Sequence, residues 1–198
     1  QYYNASMGSA RNWDKTSSTT LYAKWTPITY TVSYNGNGAT SGSTASSSHT
    51  YGIAKNLTAN GYTRAFTVTY NYNGATGDNA TASATAKAEF NGWATSASGN
   101  VAYGNEASVT NLTTTCNGNV PLYAKWTDKT VTLPTPKKTC YIFDGWYSDA
   151  ALTKFVGNGG ASYKPTGNIT LHAKWKEQTY TVTYKANGGS GSDQTQSV

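Results

Sequence analysis

A five-residue segment recurs three times along this chain. Leu21-Tyr22-Ala23-Lys24-Trp25 returns as Leu122-Tyr123-Ala124-Lys125-Trp126 and again as Leu171-His172-Ala173-Lys174-Trp175. Self-similarity of this kind argues against one large globule, because each unit is a small supersecondary piece whose apolar face is closed by its neighbours. In extended geometry Leu, Ala and Trp of the segment share one face and Tyr and Lys the other. The Leu/Trp face is therefore the expected core, with Trp25, Leu122, Trp126, Leu171 and Trp175 inside. The outward Lys24, Lys125 and Lys174 fit edge strands guarded against sheet-to-sheet pairing; with Tyr22 and Tyr123 they are also candidate surface contacts.

Two other motifs accompany it. Tyr30-Thr31-Val32-Ser33-Tyr34, Phe66-Thr67-Val68-Thr69-Tyr70 and Tyr180-Thr181-Val182-Thr183-Tyr184 each alternate large and hydroxyl side chains and run into Asn/Gly-rich turns. That is the pattern of a half-buried strand entering a hairpin. Phe90-Asn91-Gly92-Trp93 returns as Phe143-Asp144-Gly145-Trp146, where a Gly between aromatics marks a bulge or a close packing contact. Phe90, Trp93, Phe143 and Trp146 join the expected core. Strands are expected near 29–35, 66–72, 121–126, 170–175 and 179–185.

The composition agrees with strands. Among 198 residues there are 16 Tyr and 6 Trp but a single Met, with little charge (12%), and aromatics on pleated, half-buried surfaces favour β structure over helix. The 15 basic residues outnumber 9 acidic ones, for a net +6, yet they are spread without a dense run, which speaks against a nucleic-acid partner. No apolar stretch approaches the roughly 20 residues of a membrane-spanning helix. Because residue 1 is Gln and not Met, the chain is expected to be a segment of a longer polypeptide.

Taken in order, these motifs resemble the internalin-type B repeat, or Listeria-Bacteroides repeat, whose pattern runs from a YTVTF-like strand and Asn/Gly turn, through GYTFDGWYT, to TLYAKW. Residues 66–126 resemble a complete repeat and 127–175 a shorter one, in which Lys129-Thr130-Val131-Thr132-Leu133-Pro134 stands in place of the longer head. Residues 1–25 resemble only the tail of a repeat, with Trp13-Asp14 matching a WDF-like element, and 176–198 only a head. Residues 26–65 depart from the pattern: a head and Gly61-Tyr62-Thr63-Arg64 run straight into a second head at Phe66, as in a hybrid unit or one with sequence missing. The resemblance implies mainly β (at most α+β) modules, small and β-grasp-like, each a curved sheet on a short helical or irregular crossover. They would be strung in tandem on secreted or cell-surface bacterial proteins.

Signs of chemistry are thin. The two histidines, His49 and His172, are far apart in sequence, and no nucleophile elbow, phosphate loop, HExxH or CxxC is present. No catalytic residue, cofactor or metal ligand set is expected. The two cysteines, Cys116 and Cys140, are candidates for a disulfide closing a loop of about 25 residues, since lone cysteine pairs in extracellular β proteins are often bonded. The function expected is a non-catalytic stalk, spacer or adhesive segment whose partners are neighbouring repeats. The alternatives are a module binding a host protein or glycan, and a subunit adding strands to copies of itself in a filament.

Overall fold

The computed structural model describes residues 4, 6, 8, 12, 14–75 and 82–197; Trp13 lies outside them. Among the described residues there is no helix and 43% are in strands, an all-β fold. The chain lays down β1 (Thr29–Asn35), β2 (Ser41–Gly42), β3 (Ser47–Thr50), β4 (Lys55–Asn56) and β5 (Tyr62–Thr63). A hairpin follows, formed by β6 (Ala65–Asn71) and β7 (Ser83–Lys87). Then come β8 (Glu89–Ala94), β9 (Ser108–Val109) and β10 (Asn119–Thr127). After these run β11 (Val131–Thr132), β12 (Tyr141–Tyr147), β13 (Phe155–Gly157), β14 (Ser162–Tyr163) and β15 (Ile169–Glu177). A last hairpin pairs β16 (Thr181–Tyr184) with β17 (Gln194–Ser197).

Two sheets hold the cores. The first has the order β3-β1-β10-β8 and the second β13-β12-β15-β6-β7. In each, a head strand and an AKW strand lie parallel at the centre, β1 beside β10 and β6 beside β15, and the remaining neighbours are antiparallel. The alternation seen in sequence sets which side is buried: Tyr30, Val32 and Tyr34 of β1 and Val68 and Tyr70 of β6 point inward. Among the described residues the chain between the central strands runs through short strands and loops, without the short helix that was one of two expected forms.

The pairing is interleaved. β10 pairs with the head strand at Thr29 and passes over the nearer one at Ala65; β6 waits for β15, about 100 residues on. Residues 65–87 are thus a hairpin spliced into the first unit but spent in the second. The backbone closes across the splice where Ala88 N–H donates to the Arg64 carbonyl (2.8 Å). Phe90–Trp93 and Leu122–Trp126 complete the sheet begun at Thr29, and the shorter sequence copy, which carries no head of its own, receives one from β6 and β7.

Two expectations need correction. The AKW strands β10 and β15 are central and not edge strands, so Lys125 and Lys174 guard no edge. A parallel neighbour occupies one side of each and an antiparallel one the other. Cys116 and Cys140 are free and exposed. Cys116 lies in the turn beneath β1, where Asn117 N–H donates to Thr29, while Cys140 sits at the entry to β12 and its carbonyl accepts from Gln178 N–H. The two thiols belong to separate units and no bridge joins them.

Candidate functional site: the joint between head and tail strands

The repeated residues converge on one construction, the joint where an AKW strand meets its head. Leu122 lies opposite Tyr34 and Leu171 opposite Tyr70, and both leucines are fully buried. The tail Trp reaches past the end of the head strand: Trp126 Nε1–H donates to the Gly36 carbonyl (2.9 Å) and Trp175 Nε1–H to the Tyr72 carbonyl (2.9 Å). The turn answers with an Asn in left-handed conformation. Asn37 (φ 45°) and Asn73 (φ 49°) each donate from Nδ2 to the Ala carbonyl of the tail, Ala124 and Ala173, both at 2.8 Å. A small polar side chain tolerates that φ where a β-branched one would be strained.

Behind the joint stands an aromatic cluster. Tyr34 packs on Trp93 at 4.7 Å between ring centroids, and Phe90 lies edge-on to both Trp93 and Trp126; Tyr70, Phe143, Trp146 and Trp175 repeat the arrangement. Trp93 and Trp146 are wholly buried, while Phe90, Phe143, Trp126 and Trp175 are half-buried. Gly92 (φ 136°) and Gly145 (φ 100°) sit at register shifts of the ladder. A Cβ at Gly92 would meet the Tyr103 carbonyl and one at Gly145 the Phe155 ring, which is the close approach expected of a Gly between aromatics.

The two joints differ at one instructive point. In the first unit Thr58 N–H donates to Tyr34 Oη (2.8 Å), and that hydroxyl also lies 3.3 Å from Ser47 Oγ. In the second, the chain after the matching leucine (Leu57, Leu133) continues with Pro134, which has no N–H. Trp146 Nε1–H bonds the Pro134 carbonyl (2.8 Å), but the buried Tyr70 hydroxyl has no partner. Burial, and then the nearby Tyr72, push the Tyr70 phenol above its usual range.

His49, which sequence reasoning passed over, is 1% exposed and stacks on Tyr30 with ring centroids 5.5 Å apart. Its Nε2 lies 2.9 Å from Ser47 Oγ and its Nδ1 has no partner. Burial, then the charge of Lys55, hold its pKa below 6.5. The signal that would have found it is register, since His49 faces Tyr30 as Ala86 faces Phe66.

Of the candidate contact residues, Tyr123 is half-buried. Lys125 Nζ reaches the Ala97 carbonyl (3.4 Å), and Lys174 Nζ lies 3.9 Å from Asp144 and 4.9 Å over the Tyr147 ring. Tyr22 and Lys24 are exposed. Trp25, expected in a core, is 87% exposed, and Leu21 is 45% exposed. The reason is that no head strand lies beside them: the heads at β1 and β6 already hold β10 and β15.

At the crossing between the units Arg64 Nε–H donates to Asp128 (2.8 Å), whose other oxygen lies 3.6 Å from Lys164 Nζ. The hydrogen bond from Arg64 is the main cause holding the Asp128 carboxyl below its ordinary range. Among the described residues no three His, Cys, Asp or Glu side chains gather as a metal site would need, and no helix is long and apolar enough to cross a membrane. An open groove beside the β1–β2 turn, bordered by Asn37, Thr40 and Tyr62, has no charged side chain in its lining.

Residues 127–174 match the family model of the Listeria-Bacteroides repeat domain. The match begins at Thr127, the last residue of β10, and so omits the β6–β7 hairpin on which this repeat closes. No curated protein and no solved structure matched the chain.

Proposed function

We propose that this chain, carrying the Listeria-Bacteroides repeat of residues 127–174, is a non-catalytic structural segment of a bacterial surface or secreted protein, serving as a stalk or spacer. One observation carries this reading: in the two units that have a core, the residues that recur (Leu, Ala and Trp of the tail, Tyr and Val of the head, Asn of the turn) are consumed in closing the joint between strands. Lys125 and Lys174 are likewise engaged within their own units. A site that recognised a ligand would leave convergent polar groups free in a concave pocket. The order β3-β1-β10-β8 around a central parallel pair supports a β-grasp-like description of each unit.

The test is direct binding of the purified, labelled chain to arrays of glycans and host extracellular-matrix proteins. A spacer gives no saturable binding. Saturable binding that Tyr123→Ala weakens at least tenfold would overturn the spacer reading in favour of an adhesive one.

A further inference from the structure

Two modules joined by a single covalent link swing about it unless a large apolar interface stops them. Here the chain crosses between the two units three times. It leaves the first at Arg64–Ala65 to lay down β6 and β7, returns at Ala88–Glu89 for β8 to β10, and leaves again at Thr127–Asp128. The three passages are tied edge to edge. Ala65 pairs with Lys87 on the side of the second unit and Thr127 with Glu89 on the side of the first. Between them Ala88 N–H donates to the Arg64 carbonyl at 2.8 Å. Side chains repeat the tie: Asn91 Nδ2 donates to Thr127 Oγ1 (2.6 Å), and Lys129 Nζ lies 2.6 Å from Glu89. A hinge needs a few residues free to absorb a change in φ and ψ. In this neck every passage is held by its neighbour.

A ribbon three passages wide resists twisting and resists bending within its plane, which leaves flexing across its thin direction. One side chain bridges the units directly. Arg64 Nη1 donates to the Gly38 carbonyl in the β1–β2 turn of the first unit (2.8 Å), and its Nε–H donates to Asp128, whose other oxygen lies 3.6 Å from Lys164 Nζ, just past β14 of the second. The Arg64 and Asp128 side chains are 22% and 23% exposed. This charge-assisted bond is thus sheltered from the solvent screening that leaves open surface pairs such as Lys129 and Glu89 with little net effect. Gly38 makes room for it, because at φ 87° a Cβ there would run into Arg64 Nη1. We propose that the two units form one rigid body of fixed mutual orientation, with Arg64 as the pin that stops the three-passage neck from flexing. This inference does not rest on the spacer reading, since glycan and matrix binding do not report on the angle between units.

The chain carries its own reporters for the test. Cys116 lies in the first unit and Cys140 in the second, and both are free and exposed, so spin labels attach to each without entering a core. Double electron–electron resonance on the labelled 198-residue chain should give one distance peak, no wider than the rotamer spread of the labels themselves. Arg64→Ala should widen that peak at least twofold while the near-ultraviolet spectrum of both units is kept. Should Arg64→Ala lose that spectrum, Lys164→Ala takes its place: its side chain is 56% exposed, so the fold is not at stake, and the peak should widen in the same direction. A broad or multiple distribution in the unsubstituted chain overturns the fixed orientation. A peak that the folded variant leaves unchanged overturns the pin.

Discussion

The segment from Thr127 to Glu177, which covers the family match, is expected not to fold by itself. It forms β11 to β15 but lacks β6 and β7, which place Val68 (0% exposed), Tyr70 (5%) and Ala86 (4%) in its core and supply the Tyr72 carbonyl for Trp175. Burying a Val side chain contributes about 1.5 to 3 kcal/mol and a Tyr about 4 to 6 kcal/mol gross. Together these reach about 6 to 9 kcal/mol, before the lost β6–β15 ladder is considered. A unit of about 70 residues has a net stability of roughly 4 to 10 kcal/mol. Removing the hairpin therefore takes away as much as the whole margin. The assay is urea unfolding of the segment, followed by Trp fluorescence and near-ultraviolet circular dichroism, alone and with a synthetic hairpin of residues 65–87. Alone, it should show no cooperative transition and a solvent-exposed Trp146; added hairpin should restore both transition and shielding in a saturable way. A cooperative transition for the segment alone, unchanged by the hairpin, would refute the interleaved account.

Three further outcomes follow from the joints and the crossing. Tyr70→Phe should stabilise the second unit by about 1 to 2 kcal/mol by removing a buried hydroxyl without a partner, while Tyr34→Phe should destabilise the first by a similar amount because Thr58 N–H loses its acceptor; urea midpoints measure both. Since His49 has a folded pKa below its unfolded value of 6.5, the unfolded chain binds the proton more readily. The first unit should hold its stability above about pH 6.5 and lose it as pH falls from there toward the folded value, at up to about 1.4 kcal/mol per pH unit. His49→Ala, matching Ala86 of the second unit, should flatten that dependence in urea titrations at pH 7.5 and 5. Asp128→Asn should cost about 1.5 to 3 kcal/mol through the Arg64 hydrogen bond. A double-mutant cycle with Arg64→Ala isolates that pair, and because the folded pKa of Asp128 is depressed, its contribution is present above about pH 4 and lost as pH falls through the folded value.

The strands and their buried faces were legible in the sequence because they are local. Alternation in Tyr30–Tyr34 and Phe66–Tyr70 and the Leu/Ala/Trp face of the tail segments carry period-two signals that no distant partner alters. Which head closes on which tail was not legible, because the heads at 30 and 66 and the tails at 122 and 171 are nearly interchangeable and local pattern carries no address. A clue lay in the deficits. Gly61-Tyr62-Thr63 lacks its FxGW, which resumes at Phe90, and the copy after Thr127 lacks a head, so one surplus hairpin matches one missing hairpin. Trp25 shows the same limit from the other side. Its inward register is right for a core, yet burial requires a partner strand, and neither head in the two cores is free to supply it. Cys116 and Cys140 carried no positional information beyond their number, and in the structure both are free and exposed. His49 gave no signal by residue type and became notable only through the strand opposite it.

The parallel central pairs have a mechanical consequence. In the second unit the chain enters at the start of β6 and leaves at the end of β15, and these two strands lie side by side in the same direction. Tension drawn through the polypeptide therefore slides one strand along the other, loading the ladder bonds and the Trp175 and Asn73 latches together, where an antiparallel exit would let them open one at a time like a zip. β1 and β10 have the same geometry between the start of the first unit and its last strand. A segment built this way resists extension in shear, and its rupture force should exceed that of a hairpin of equal hydrogen-bond number peeled from its end.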